Sequence, residues 1–261
     1  MPVQIYRLMP SHLETLFIGR HLIALDETDS TNAQAQQLLA MADPPEGTVI
    51  YAHHQKAGKG QRGANWESEE RKNLTFSILL KPQFLTAKNS FQLSKVIALG
   101  IIDHLSSFLK MDFKIKWPND IYFLNNKISG ILIENTLRGQ QISNAIVGIG
   151  LNINQIKFIN SQAISVKKIT GTEQPLEQHF YLLCASIEKR YLQLKSGNNA
   201  VIDKDYLEAL YGYNLPGNYR SGTREFSAKI IQITEEGKLI LKEHDGLQKS
   251  YDFKEVVFLM D

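Results

Sequence analysis

Between Gln55 and Trp66 the chain reads QKAGKGQRGANW, which sets Lys56, Lys59 and Arg62 among three glycines with no acidic residue. Glycine lets neighbouring backbone N–H groups turn toward one anion without steric cost, and the cations add charge, so the stretch suits phosphate binding. Gly58-Lys59-Gly60-Gln61-Arg62-Gly63 also spells G-x-G-x-x-G. That fingerprint binds a dinucleotide only when a helix follows and aims its N-terminus at the pyrophosphate. Here the polar run ANWESEERKN follows, then another apolar run, so the unit reads as strand–loop–strand. The loop has no Gly-Lys-Ser/Thr, and no His-Arg-Asp or Asp-Phe-Gly occurs later, which excludes Walker and kinase loops. Trp66 either stacks on a planar base or anchors the loop in the core.

Four other stretches can carry chemistry. Lys116-Trp117-Pro118-Asn119-Asp120 gathers a cation, an amide and a carboxylate around a rigid proline. Asn119 and Asp120 can orient Mg²⁺ held mainly by phosphates, or form an ordinary turn beside a solvated Lys116. In KISGILIE, Gly130 clears space on an apolar strand. Lys127 at its mouth either neutralises a carboxylate and then a developing charge, or snorkels into water. In VGIGLNIN, Gly148 and Gly150 put backbone where side chains would stand, either for a flat ligand or for close packing under a helix. Asp29-Ser30-Thr31-Asn32 holds helix-capping residues whose hydroxyls can equally bind a small polar head group. No Ser-His-Asp or Cys-His signature and no metal-ligand spacing is present, and His53-His54 reads as structural. The single cysteine, Cys184, excludes an internal disulfide and reads as a buried apolar residue.

The elements that must position these residues follow from pattern. Strands are expected at 21–26, 48–53, 74–80 and 113–117, with helices at 33–42 and 91–109. Asn125-Asn126 and Arg138-Gly139 join further strands by turns too short for helical crossovers, so the sheet is at least partly antiparallel. Helices are expected at 176–195 and 203–210. Past residue 214 come short strands at 226–233, 238–243, 248–253 and 256–259, with hairpin signals at Glu236-Gly237 and Asp245-Gly246. The fold class is α+β, with a small all-β barrel behind a boundary near 214.

The chain has 261 residues, 43% hydrophobic and 21% charged, enough for one large domain or one plus a small one. A net charge of +2 lacks the basic excess of a dedicated nucleic-acid binder, so no nucleic-acid partner is expected. No apolar leader core and no membrane-length run is read, so the expected location is the cytoplasm, without a membrane partner. The roughly twenty residues before the first strand are too few for a helix-turn-helix. Oligomeric state stays open, because strand edges can pair two sheets in a homodimer.

Taken in order, the basic glycine loop, K-W-P-N-D, K-x-x-G-I-L-x-E and G-I-G-L-N resemble the biotin–protein ligases, from about Ile18 to the C-terminus. The resemblance implies a monofunctional enzyme without a DNA-binding domain. It implies a catalytic domain over 1–213, with a mixed, largely antiparallel sheet backed by helices and related to class II aminoacyl-tRNA synthetases, and an SH3-like barrel over 214–261. It implies that biotin and ATP, with Mg²⁺, give biotinyl-5′-AMP, and that biotin then passes to a lysine of a biotin carboxyl carrier domain.

By resemblance, Ser30, Thr31 and Gln55 would bind the ureido ring with Asn32 nearby, and Gly130, Gly148 and Gly150 would shape its slot. Gly58, Lys59, Gly60 and Gln61 would close over biotin. Lys127 would contact the carboxyl group. Lys116, Asn119 and Asp120 would handle phosphates and Mg²⁺, Trp66 would pack on adenine, and Asn152 would lie close by. Lys127, Asp120 and Arg62 would be catalytic. The loop departs from the family's G-R-G-R-x-x-R-x-W, because Lys59, Gln61 and Ala64 stand at arginine positions. Lysine lacks the planar arginine fork, so Lys59 and Arg62 are expected to share the anion-holding role. The loop is expected to order only over biotinyl-AMP. A lipoate or octanoate ligase and a biotin-sensing repressor are the alternatives.

Overall fold

The run LTFSILL becomes a strand over Leu74–Leu80 that is buried along its whole length, and the molecule is built outward from it. A computed structural model describes residues 15–259. The elements in chain order are β1 (Leu22–Thr28), α1 (Thr31–Met41), β2 (Val49–Gln55), β3 (Leu74–Leu80), α2 (Phe91–Phe108), β4 (Phe113–Lys116), β5 (Asp120–Phe123), β6 (Asn126–Arg138) and β7 (Gln141–Leu151). There follow α3 (Val166–Thr170), α4 (Leu176–Lys195), α5 (Asn199–Ala209), β8 (Pro216–Ser221), β9 (Arg224–Ile233), β10 (Leu239–Glu243), β11 (Gln248–Tyr251) and β12 (Val257–Leu259). The opening segment read for a leader falls mostly at residues 1–14, outside the described residues.

The first sheet has seven strands in the order β1-β2-β3-β7-β6-β5-β4. Only β1 and β2 run parallel, joined by the α1 crossover, and the remaining pairs are antiparallel. The α+β reading therefore holds. One face carries α2, α4 and α5. On α2, Leu93, Val96, Ile97, Ile101 and Leu105 are fully buried at helical spacing, each worth roughly 1.5–3 kcal/mol of burial. Arg190 of α4 ties the three helices, reaching Asp103 and Asp205 at 2.6 Å each. Among the described residues the other face carries only α1, through a small cluster of Ala35, Ile50, Leu79 and Ile146. That partial cover leaves the middle of the sheet available for a site.

Beyond α5 a second, all-antiparallel sheet has the order β11-β10-β9-β8-β12. It is open, with β11 and β12 at its edges. The sequence pattern did not show β8, whose PGNYRS lacks apolar alternation, nor the single-turn-length α3. The two sheets are locked together at Trp117. Its Nε1–H donates to the Gly237 carbonyl at 2.8 Å, and its ring lies 5.3 Å from that of Phe253.

Candidate active site

Strand register makes the floor of the site. Gly150 on β7 lies between Thr75 on β3 and Gly130 on β6, and Gly130 faces Asp120 on β5. Two residues along, Gly148 lies between Ser77 and Leu132. Residues two apart on a strand share a face, so the glycines strip one patch of sheet down to main chain. Two side chains come down onto that patch. A Cβ at Gly148 would stand 2.3 Å from Asn32 Oδ1, and a Cβ at Gly150 would stand 2.2 Å from Cε2 of Trp66. Above them lies a cavity of about 270 Å³.

One end of the cavity is polar and sits at the start of α1. The Thr31 N–H and hydroxyl both donate to Gln55 Oε1, at 2.8 and 3.1 Å. Asn32 is held at both ends of its amide: its Oδ1 accepts from Ser77 Oγ at 2.6 Å, and its Nδ2 donates to Glu134 Oε2 at 2.6 Å. The amide has one orientation that satisfies both partners. Gln36 Nε2 donates to the other Glu134 oxygen at 3.2 Å. Ser30, buried at the N-cap of α1, makes no capping bond and lines the cavity.

The other end is charged. Lys127 Nζ lies 2.8 Å from Asp120 Oδ1 and 5.6 Å from the Trp66 ring centroid. The Lys127 backbone is braced by the Gln162 carbonyl at 2.7 Å and by Ile164 N–H at 2.9 Å. Asn152 holds that same brace through Ile164 O at 3.0 Å, so it supports Lys127 from outside the cavity lining. Asn119 donates its Nδ2 to Ile131 O and lines the cavity. Lys116 shares the Asp120 row, but its amine sits 4.8 Å from the Tyr122 ring centroid, outside the lining. Burial lowers the Lys116 pKa, Asp120 raises it in part, and Lys127 lowers it further.

The glycine loop has no helix behind it. It contains one 3-10 turn, Gln61–Gly63, and closes on itself through Gly60 N–H to Ala64 O at 2.7 Å and Trp66 N–H to Gly58 O at 2.8 Å. Lys59, Gly60, Gln61 and Trp66 line the cavity, while Gly58 forms the base of the loop. Lys56 is drawn away to Glu27 at 2.5 Å. The Arg62 side chain lies outside the described residues. The Trp66 Nε1–H is buried without a hydrogen-bond partner, and a buried donor of this kind asks for an acceptor. His53 and His54 stand apart from the cavity lining, His54 at 3.1 Å from Glu27.

Most of the residues selected from the sequence are thus brought together, with Gly58, Lys116 and Asn152 set behind or beside the cavity. Sequence reasoning missed Ser77 and gave no role to Glu134. The available signals were a lone serine inside an apolar strand and a glutamate ending the apolar run of another. It also missed Lys254, from the second sheet, which lines the same cavity.

Residues 24–152 match the model of the biotin/lipoate A/B protein ligase family. The chain is 31% identical to the bifunctional ligase/repressor BirA of Bacillus spizizenii, over 92% of this chain and 74% of that protein. It is also 31% identical to the biotin–[acetyl-CoA-carboxylase] ligase of Paracoccus denitrificans, over 86% of this chain and 95% of that one. Among solved structures it is similar to biotin protein ligase from Aquifex aeolicus in complex with biotin and ATP. That likeness has a TM-score of 0.77 at 26% identity, covering 93% of this chain and 100% of that one.

Proposed function

Since this chain belongs to the biotin/lipoate A/B protein ligase family, we infer that it is an ATP-dependent biotin–protein ligase. It adenylates biotin to biotinyl-5′-AMP and transfers the biotinyl group to a lysine of a biotin carboxyl carrier domain. One observation carries this reading: a main-chain floor runs from the Thr31–Asn32–Gln55 cluster to the Lys127–Asp120 pair. Biotin has the matching order of chemistry, with a rigid ureido head needing fixed donors and acceptors, an apolar stem and a terminal carboxylate.

In the first step a biotin carboxylate oxygen attacks the α-phosphorus of ATP. The new O–P bond forms as the bond to pyrophosphate breaks, and pyrophosphate leaves with the electron pair. Lys127 is assigned to the carboxylate and then to the charge building around the anhydride, with Asp120 fixing its amine at 2.8 Å. In the second step the carrier's amine attacks the acyl carbon, the C–O bond to AMP breaks, and the amine loses its proton. Neither step needs an enzyme nucleophile. Cys184 is fully buried, and burial pushes its thiol pKa up, so it takes no part.

Ser30, Thr31, Asn32 and Gln55 are assigned to the ureido ring, and Lys59, Gly60 and Gln61 to closure over the adenylate. Trp66 is assigned to adenine and Arg62 to phosphates, and Lys116 would meet them only by turning its amine in from Tyr122. Among the described residues no group of three or more His, Cys, Asp or Glu can hold a metal alone. The hard oxygens of Asn119 and Asp120 fit a Mg²⁺ ion carried mainly by the phosphates of ATP, which would neutralise phosphate charge when bound. We read residues 1–213 as the catalytic domain, 214–261 as an SH3-like unit, and the ATP-consuming reaction as cytoplasmic.

The test is to mix the protein with ATP, Mg²⁺ and an apo carrier domain, offer biotin or lipoate, and weigh the carrier by mass spectrometry. A biotin-sized gain is expected. No gain, or a gain only with lipoate, removes the reading.

A further inference from the structure

We propose that Lys254, in the turn between β11 and β12, is a nucleotide-binding residue whose ammonium meets the phosphates of ATP. The proposal rests on the ligase reading for its substrate and on separate geometry for its residue. Lys254 is the one residue from the second-sheet region among the described residues lining the cavity over the glycine floor, where it joins Lys59, Asn119, Asp120 and Lys127.

Its backbone argues that the lysine is there for its side chain. Asp252 to Glu255 form a tight turn closed by Glu255 N–H to Asp252 O at 3.0 Å. Asp252 N–H donates back to Glu255 Oε2 at 2.7 Å. Lys254 is the third residue of that turn, with φ at 70°. A positive φ at this position is what glycine or asparagine adopts at low cost, and a residue with a longer side chain is strained there. Among the described residues the other non-glycine positions with positive φ are Arg71, Leu124 and Asn214. None of them lines this cavity. Strain held at a cavity wall points to function.

The turn is also fixed in place. The Phe253 ring lies 5.3 Å from Trp117 and 6.0 Å from Phe91, and Trp117 is bonded to Gly237 of the second sheet. Lys254 is therefore carried on a wedge against the segment that presents Asn119 and Asp120. Charge supplies the reason for it. A triphosphate brings several negative charges, while Gln61 and Ala64 on the loop bring none. Among the described residues lining the cavity the cations are Lys59, Lys127 and Lys254. An ammonium on a four-carbon stem acts as a mobile point charge, which suits a polyphosphate tail that moves as pyrophosphate departs.

The experiment compares wild type with Lys254→Met, Lys254→Gly and Lys254→Arg in the full chain. It reads ATP affinity by calorimetry, KM and kcat for pyrophosphate release, biotin affinity without ATP, and Tm. Met and Gly should each raise the ATP Kd and KM about tenfold, moving kcat less and biotin affinity not at all. Arg should restore the ATP Kd, and Gly should keep or raise Tm because the strain is gone. An ATP Kd within twofold of wild type in Lys254→Met overturns the proposal. So does an equal loss in Met, Gly and Arg with a lowered Tm, which marks a residue serving the turn alone. If wild type binds ATP but does not adenylate biotin, the ligase reading falls, while the ATP affinities still decide Lys254.

Discussion

The carboxamide oxygen of Asn32 occupies the place where a side chain on Gly148 would begin, 2.3 Å from a Cβ built there. Asn32 cannot yield, because Ser77 and Glu134 grip both ends of its amide. The neighbouring close approach, Trp66 on Gly150, involves a side chain carried by the glycine loop whose indole N–H is not held by a hydrogen bond. Gly148→Ala should therefore raise the biotin KM about five- to 150-fold, as overpacking by about 1–3 kcal/mol implies. Gly150→Ala should fall mainly on ATP KM and adenylate retention. Steady-state kinetics with each substrate varied separately would check this, and the reverse pattern would contradict the assignment of the two ends.

Glu134 accepts from the amides of Asn32 and Gln36, so its expected effect on substrate is through positioning them. Glu134→Ala should raise the biotin KM roughly tenfold, with ATP KM unchanged and kcat little changed. Glu134→Gln, which keeps an acceptor oxygen, should recover most of the loss. If ATP KM moved as much as biotin KM, a general disruption would be the better account.

Among the described side chains Lys59 is the glycine-loop cation that lines the cavity, and Arg62 is two residues beyond Gly60. Replacing both with Ala should raise the ATP KM or release biotinyl-AMP early. Gel filtration of the enzyme with radiolabelled biotin would read retention directly. Unchanged kinetics together with unchanged retention would sink the idea that the pair shares the anion-holding role.

His104 and His179 face each other across α2 and α4, Nε2 to Nδ1 at 3.1 Å. Burial, with His179 beside it, drives the His104 pKa from 6.5 down to about 3. Above pH 6.5 both folded and unfolded chains hold it neutral. Below that the unfolded chain binds the proton first, so stability falls as pH drops from 6.5 toward 3. The slope should reach about 1.4 kcal/mol per pH unit. Urea unfolding at pH 8, 6 and 5 would measure it, and His104→Leu should make it shallower, leaving the share of His179, whose pKa burial also lowers. Equal stability of wild type at all three values would contradict the burial argument.

The readable parts of this chain were those where local pattern and tertiary role agree. The run LTFSILL needed no partner to be recognised as a strand, and ANWESEERKN could not be a phosphate-facing helix whatever surrounded it. The glycines at 130, 148 and 150 pointed to a bare surface, but what touches it depends on register between distant strands. Ser77 looked like part of a core strand, because its partner Asn32 is 45 residues away. Lys116 alternates correctly toward the site, yet an edge-strand position beside Tyr122 turns its amine aside. Lys254 lies more than 120 residues past Lys127 and reaches the cavity only through the docking of the second sheet, which no local pattern encodes.

A floor made of main chain has a consequence for how such an enzyme can diversify. At Gly130, Gly148 and Gly150, where the acyl group is proposed to rest, there are no side chains for selection to lengthen or shorten. Adding the smallest one meets Trp66 or Asn32 at once. The contour is set by how β3, β6 and β7 are paired, a property that changes all together or not at all. Drift in substrate range is thereby confined to the rim, and variation among descendants of this chain should gather at loop positions such as Gln61 while the floor stays silent.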